Sequence, residues 1–247
     1  TSAYQIEGAH DANGKGPSIW DSFCTIPNRI KNNENGNIAI DHYHKYKEDV
    51  ALLKSQGFKA YRFSISWARI MPEGKGKVNE EGIQFYSNLI DELLKNDIVP
   101  WVTLYHWDLP LALEMENDGW LNHDIVDVFE EYAKLCFERF GDRVKNWITI
   151  NEPWVVAILG YGQGVFAPGR VSNTEPYLAA HHLILAHAKA VKLYKTSFKH
   201  QKGFIGITNN CDWREPFTDK PADIEAAERA LLFFLGWFAD PIYFGDY

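Results

Sequence analysis

The run "WITINEPW" at residues 147–154 ends an apolar, β-branched stretch on an amide, a carboxylate and a proline. Trp147, Ile148, Thr149 and Ile150 suit a buried strand. Asn151 and Glu152 do not suit a core, because an unpaired buried carboxylate is costly. Pro153 ends any ladder, since it has no N–H to donate. The pair therefore stands at the end of a buried strand, or simply opens the loop behind one. In the first case the chemistry on offer is proton transfer by a positioned carboxyl.

Other residues carry chemistry of their own. Arg62 sits inside the β-rich "AYRFSIS", where a permanently charged guanidinium needs an anion. His106 closes "VTLYHW", flanked by Trp107. Gln5 in "YQIEG" donates and accepts at once, which suits a pair of vicinal hydroxyls. His181, His182 and His187 fall on different faces of a helical stretch and read as packing and surface residues, not as a metal site.

The elements that must position these groups alternate along the chain. Strand signals lie at "YRFSISWARI" (61–70), "VPWVTLYHW" (99–107), "VKNWITIN" (144–151) and "GFIGITNN" (203–210), with a strand tail at "TSAYQIEG". Helical apolar spacing fills 41–57, 79–97, 122–142, 175–195 and 221–238. Alternating strands and helices predict βα units and a parallel sheet. A doubly wound sheet and a (β/α)8 barrel both fit that pattern. Polar groups decide between them: Trp67-Ala68-Arg69, His106-Trp107-Asp108, Asn151-Glu152 and Asn209-Asn210 each close a strand run. Barrels collect their sites from the C-terminal ends of many strands, and the Gly-rich first turn of a Rossmann fold is missing. The expectation is an α/β, (β/α)8 TIM-barrel architecture. Closure needs eight strands, so residues 1–247 are expected to supply roughly half a barrel and no separate second domain. The start at Thr1 and the stop at "FADPIYFGDY" both look cut.

Composition narrows the function classes. The 247 residues are 46% hydrophobic and 15% aromatic, enough for one large core. Nine Trp suit core packing and also stacking on sugar rings. A formal net charge of −8 argues against nucleic-acid and anionic membrane partners. No stretch approaches the roughly 20 apolar residues of a membrane span. Cys24, Cys136 and Cys211 read as thiols, and no Asn-x-Ser/Thr acceptor occurs. Both points lean towards a cytoplasmic setting, with secretion left open because a signal peptide would precede Thr1. Oligomeric state is not legible.

Taken in order, "TSAYQIEGA", "GPSIWDSF", "YRFSISWARIMP", "TLYHWDLPLAL", "GWLN", "WITINEPW" and "GWFADPIYFGDY" resemble the retaining β-glycosidases of glycoside hydrolase family 1, across Thr1 to Tyr247. Members of that family are (β/α)8 barrels about twice this length. The resemblance implies the N-terminal half, from the tail of the first strand to the helix after the fifth. It also implies roles: Glu152 as acid/base, Asn151 on the sugar 2-hydroxyl, and Gln5 and His106 on further hydroxyls. Trp107 and Trp154 would wall the glycone and leaving-group sides, Asn210 would contact substrate, and Arg62 would support the nucleophilic glutamate.

That nucleophile, which the family carries in an "ENG" motif on its seventh strand, is expected outside these residues, the "ENG" at 34–36 preceding all four strand runs, although a retaining mechanism needs it roughly 5–5.5 Å from the acid. Asp108, which the family uses structurally, and Asp212 are unconvincing substitutes. The resemblance thus implies a parent β-glucosidase acting on aryl, alkyl or oligosaccharide β-glycosides without metal or cofactor, and an isolated chain that is inactive. Thioglucosidases, which lack the acid/base glutamate, fit less well. A 6-phospho-β-glycosidase and a non-catalytic, klotho-like binding domain remain alternatives.

Overall fold

The β-branched and aromatic runs pair as parallel strands: β1 (Ala60–Ser64), β2 (Val99–Tyr105), β3 (Asn146–Asn151) and β4 (Phe204–Thr208) lie side by side in that order. The structure is a computed structural model and describes residues 1–245. Strands that neighbour in sequence order, with no reversal, send every crossover round the same way. Helices then gather on one side, and the sheet curls as an arc of a (β/α)8 barrel.

Among the described residues the helices are α1 (Ala3–Ile6), α2 (Ile19–Phe23), α3 (His42–Ser55), α4 (Trp67–Ile70), α5 (Glu80–Lys95), α6 (Leu111–Asn117), α7 (Ile125–Phe140), α8 (Glu175–Ser197), α9 (Pro221–Leu231) and α10 (Trp237–Tyr243). Crossovers α5, α7 and α8 pack through apolar stripes. In α5 the stripe is Ile83, Tyr86, Leu89, Ile90 and Leu93; in α7 it is Phe129, Tyr132, Ala133, Cys136, Phe137 and Phe140. These spacings of three and four keep one face on the sheet. Trp67 stacks on Tyr132 at 4.6 Å between ring centroids, so the core under β1 and β2 is aromatic. His182 and His187 of α8 are buried in this packing, with Nδ1 at 2.7 Å from Trp120 O and from Thr149 Oγ1 respectively.

Two local expectations are corrected, and one element appears that none had covered. The first strand stops at Ser64, and Trp67-Ala68-Arg69 forms the fully buried turn α4 instead of a strand end. Packing of the indole, whose Nε1 donates to Gly74 O at 2.9 Å, outweighs the β-propensity of the segment. Residues 3–6 are one helical turn, not a strand tail. That turn is seated on β1 by Ala3 N donating to Ser64 Oγ (2.7 Å) and the Thr1 amino group donating to Arg62 O (2.9 Å). Finally, Val155–Gly162 forms wide π-helical turns that no periodicity announced.

Candidate active site

Three adjacent strands end at one place. Asn151 is the last residue of β3, Glu152 follows it, His106 and Trp107 follow β2, and Arg62 projects from the middle of β1. Asn151 is 2% exposed and holds the group together. Its Oδ1 accepts from Arg62 Nη2 at 2.6 Å; its Nδ2 donates to Glu152 Oε2 at 3.0 Å and reaches His106 Nε2 at 3.4 Å. Trp107 Nε1 donates to the Asn151 carbonyl at 2.8 Å, and Arg62 Nε donates to Thr103 Oγ1 at 3.0 Å. A short amide side chain that accepts on one side and donates on the other is what such a hub requires.

Backbone conformation marks the same two turns. Trp107 has φ +74° and Glu152 φ +51°, left-handed values that are uncommon for large side chains and gather at functional sites. The Glu152 turn is tied down by its N–H donating to Thr208 O at 2.8 Å, across to the end of β4. Its carboxylate therefore leaves the strand at a set angle, half-exposed, beside the Arg62 charge.

Electrostatics assign protonation states. Burial, and then the Arg62 charge, lower the His106 pKa from 6.5 to about 3, so the ring is neutral at ordinary pH. Nε2 then accepts from Asn151, while Nδ1 is buried without a partner. Burial lowers Arg62 as well, and Glu152 partly offsets it. A neutral imidazole, a carboxylate and a committed guanidinium can hydrogen-bond hydroxyls and move one proton. Among the described residues no group of three or more His, Cys, Asp or Glu is placed to hold a metal, and no helix is long and apolar enough to cross a membrane.

A cavity of about 380 Å³ opens beside this constellation. Gln5, His106 and Trp107 line it together with Tyr4, Trp20 and Phe166. The structure thus brings Gln5 of α1, 101 residues away in sequence, onto the same cavity as His106. Glu152, Asn151 and Arg62 stand beside that cavity and join it through His106 and Trp107. Trp154 does not line it: its ring stacks on Phe234 at 4.0 Å and 10°, next to Phe238 of α10. Asn210 follows β4, and the Oδ1 atoms of Asn209 and Asn210 are buried and unpartnered.

Sequence reasoning assigned no role to Tyr4, Trp20 or Phe166. The signal for Trp20 was present in "PSIWDSF": Ser18 and Asp21 form a capping box that opens α2 and turns Trp20 onto the cavity wall. Glu7 also escaped notice. It is 4% exposed and paired with Arg69 at 3.0 Å, a contact set only by the fold.

The glycosyl hydrolase family 1 model matches residues 1–247. A β-glucosidase 1B of Phanerodontia chrysosporium is 56% identical over all of this chain and 48% of its own length. The crystal structure of rice Os3BGlu6 β-glucosidase superposes with a TM-score of 0.99 at 52% identity, covering 100% of this chain and 54% of that one. An aphid myrosinase superposes with a TM-score of 0.97 at 50% identity, covering 100% and 54%. The chain spans about half the length of the relatives it matches. With its parallel strand arc, its strand-end Asn-Glu pair and a family match from the first residue to the last, the chain belongs to glycosyl hydrolase family 1.

Proposed function

We propose that this chain supplies the acid/base half of a retaining β-glycosidase, specifically a β-glucosidase acting on terminal β-D-glycosides. The observation that carries this reading is the Asn151 hub, which joins a carboxylate and a neutral imidazole at the ends of two neighbouring parallel strands to a guanidinium from the middle of a third. Glycoside hydrolysis needs a carboxyl that protonates the leaving oxygen and later takes a proton from water. Glu152 is that group. Asn151 Nδ2, already directed at Glu152, serves the sugar 2-hydroxyl, a contact that strengthens in the transition state. Gln5 and the neutral His106 bind other hydroxyls of the same ring, and Trp107 offers an apolar wall.

The nucleophilic carboxylate is assigned outside this chain, and Arg62 is the cation placed to hold it. One carboxylate, that of Glu152, acts on Arg62 among the charges that shift it. The leaving atom is assigned as oxygen because Glu152 is present to protonate it.

Incubation with an aryl β-glucoside tests this directly. The 247-residue chain alone shows no turnover above buffer, whereas a chain carrying the remainder of the barrel turns over and loses that activity on Glu152→Gln. Turnover by the isolated chain that disappears in Glu152→Gln would place both carboxylates within these residues and overturn the assignment.

A further inference from the structure

Next to the cavity of Gln5 and His106, sharing Tyr4 and Gly36 with it, lies a small chamber whose lining includes Glu7, Lys15, Asp21, Ser66, Arg69 and Asp108. Two ion pairs are complete within it. Glu7 accepts from Arg69 Nε (3.0 Å) and from Tyr86 OH (2.6 Å), and Asp21 accepts from Lys15 Nζ (3.1 Å). That leaves Asp108, 2% exposed, as a third carboxylate with no cation of its own. Four polar atoms on this lining are buried and unpartnered: Asp21 Oδ1, Ser66 Oγ, Arg69 Nη1 and Asp108 Oδ1. Ser66 and Arg69 are 2% and 1% exposed. Buried polar atoms of this kind are almost always satisfied, by protein or by ordered water.

The inventory selects the occupant. Asp21 Oδ1 accepts, as does Asp108 Oδ1 while its carboxyl is ionised, Ser66 Oγ does either, and Arg69 Nη1 only donates. A metal cation would face Arg69 and Lys15, and an anion would face three carboxylates. A molecule that donates twice and accepts once is complementary to the set. The free volume of the chamber, about 10 Å³, is of the order that one water molecule needs.

We propose that this chamber is a binding site for one water, accepting from Arg69 and donating to the carboxylates of Asp108 and Asp21, and that the water-bridged cluster makes Glu7 and Asp108 positioning residues for Gln5 and His106. Glu7 lies two residues after Gln5, and Arg69 Nη2 also donates to Gly8 O (3.1 Å), fixing the exit of α1. Asp108 lies two residues after His106, and the N–H groups of His106 and of Asp108 itself act on its carboxylate. One chamber therefore anchors two sugar-facing turns that are remote in sequence. Burial and the Glu7 charge push the Asp108 pKa up to about 7, against the opposing effects of Lys15 and the two amides. A bridging donor at its free oxygen eases that burden. The role assigned to Gln5 and His106 rests on the glycosidase reading; the water site does not.

The test uses the 247-residue chain and no sugar, so its failure leaves the glycosidase reading standing. A high-resolution crystal structure is expected to show one ordered water within hydrogen-bond reach of Asp108 Oδ1 and Arg69 Nη1. A dry chamber, or Asp108 Oδ1 bonded directly to a protein donor, overturns the site. Ser66→Ala, which touches neither turn, is expected to weaken or displace that water; unchanged occupancy and position remove Ser66 from the site. For the positioning role, amide exchange is followed at residues 105–108. Asp108→Ala is expected to speed it roughly tenfold, the scale of one lost hydrogen bond to a carboxylate, and Asp108→Asn, which keeps an acceptor oxygen, to restore it. Exchange unchanged in Asp108→Ala, or equally fast in Asp108→Asn, overturns the role. If Asp108→Ala does not fold, Asp108→Leu, which fills the same space without an acceptor, takes its place, and exchange there as slow as in wild type overturns the role.

Discussion

Acidification should weaken this fold through His187, by an amount the structure sets. The ring is 5% exposed on α8, with Nδ1 at 2.7 Å from Thr149 Oγ1 of β3, and burial lowers its pKa from 6.5 to about 4. The unfolded chain therefore takes up this proton first as pH falls. The stabilisation is complete above about pH 6.5 and is lost on the way down to about pH 4. Each pH unit in that window is worth about 1.4 kcal/mol, so the full loss is about 3 kcal/mol. His106, lowered to about 3, has the same sign. Asp108, raised to about 7, has the opposite one, because the folded state keeps its proton as pH drops below 7. Comparing wild type with His187→Gln cancels both. Near neutral pH the Gln variant should be less stable by about 1 kcal/mol, for the disturbed bond to Thr149. Urea unfolding across the window should then bring the two stability curves together and cross them, since only the wild type carries the His187 slope. Parallel curves from pH 7 to pH 4 would refute the buried neutral histidine and the packing of α8 on β3 that creates it.

Asn151→Ala should cost about 2–3 kcal/mol of stability, because it strips Arg62 of a charge-assisted bond and leaves buried groups unpaired; a loss below about 0.5 kcal/mol in chemical unfolding would deny the hub. Gly8→Ala should destabilise the α1 turn strongly: Gly8 has φ +65°, and an added Cβ would lie 2.1 Å from Ile38 O. A variant that melts like wild type would refute that close approach. The isolated chain should self-associate, since β4 presents an unpaired edge among the described residues and Phe204, Leu232 and Phe233 are exposed at 76%, 55% and 65%. Light scattering across a concentration series reads this, with Phe233→Lys expected to reduce it; a monomer that melts cooperatively at all concentrations would count against it.

Much of the architecture was legible because it rests on local chemistry. The i, i+3, i+4 stripes of α5 and α7 and the β-branched runs of β2 and β3 state their own periods, and Pro153 stops β3 where its missing N–H requires. Asn151-Glu152 could be singled out for the same reason: polar residues ending an apolar run need a purpose. The misreadings lie where long-range packing overrides local preference. Nothing near Trp67 says that its indole will donate to Gly74 O and bend a β-prone segment into α4. Nothing near Ala3 says that Ser64 will hold a helical turn against β1.

Sequence alone determined the residue types that can do this chemistry, the alternation of strands and helices, and the kinship with a glycosidase family. Tertiary structure decided which of those residues meet. It joined Arg62, His106 and Glu152 through one amide, placed Gln5 on the cavity of His106, and stacked Trp154 on Phe234. It also gathered Glu7, Arg69 and Asp108 into a chamber next to that cavity. Periodicity and turn chemistry act over a few residues, whereas contacts spanning 45 to about 90 positions arise only when parallel strands align their ends.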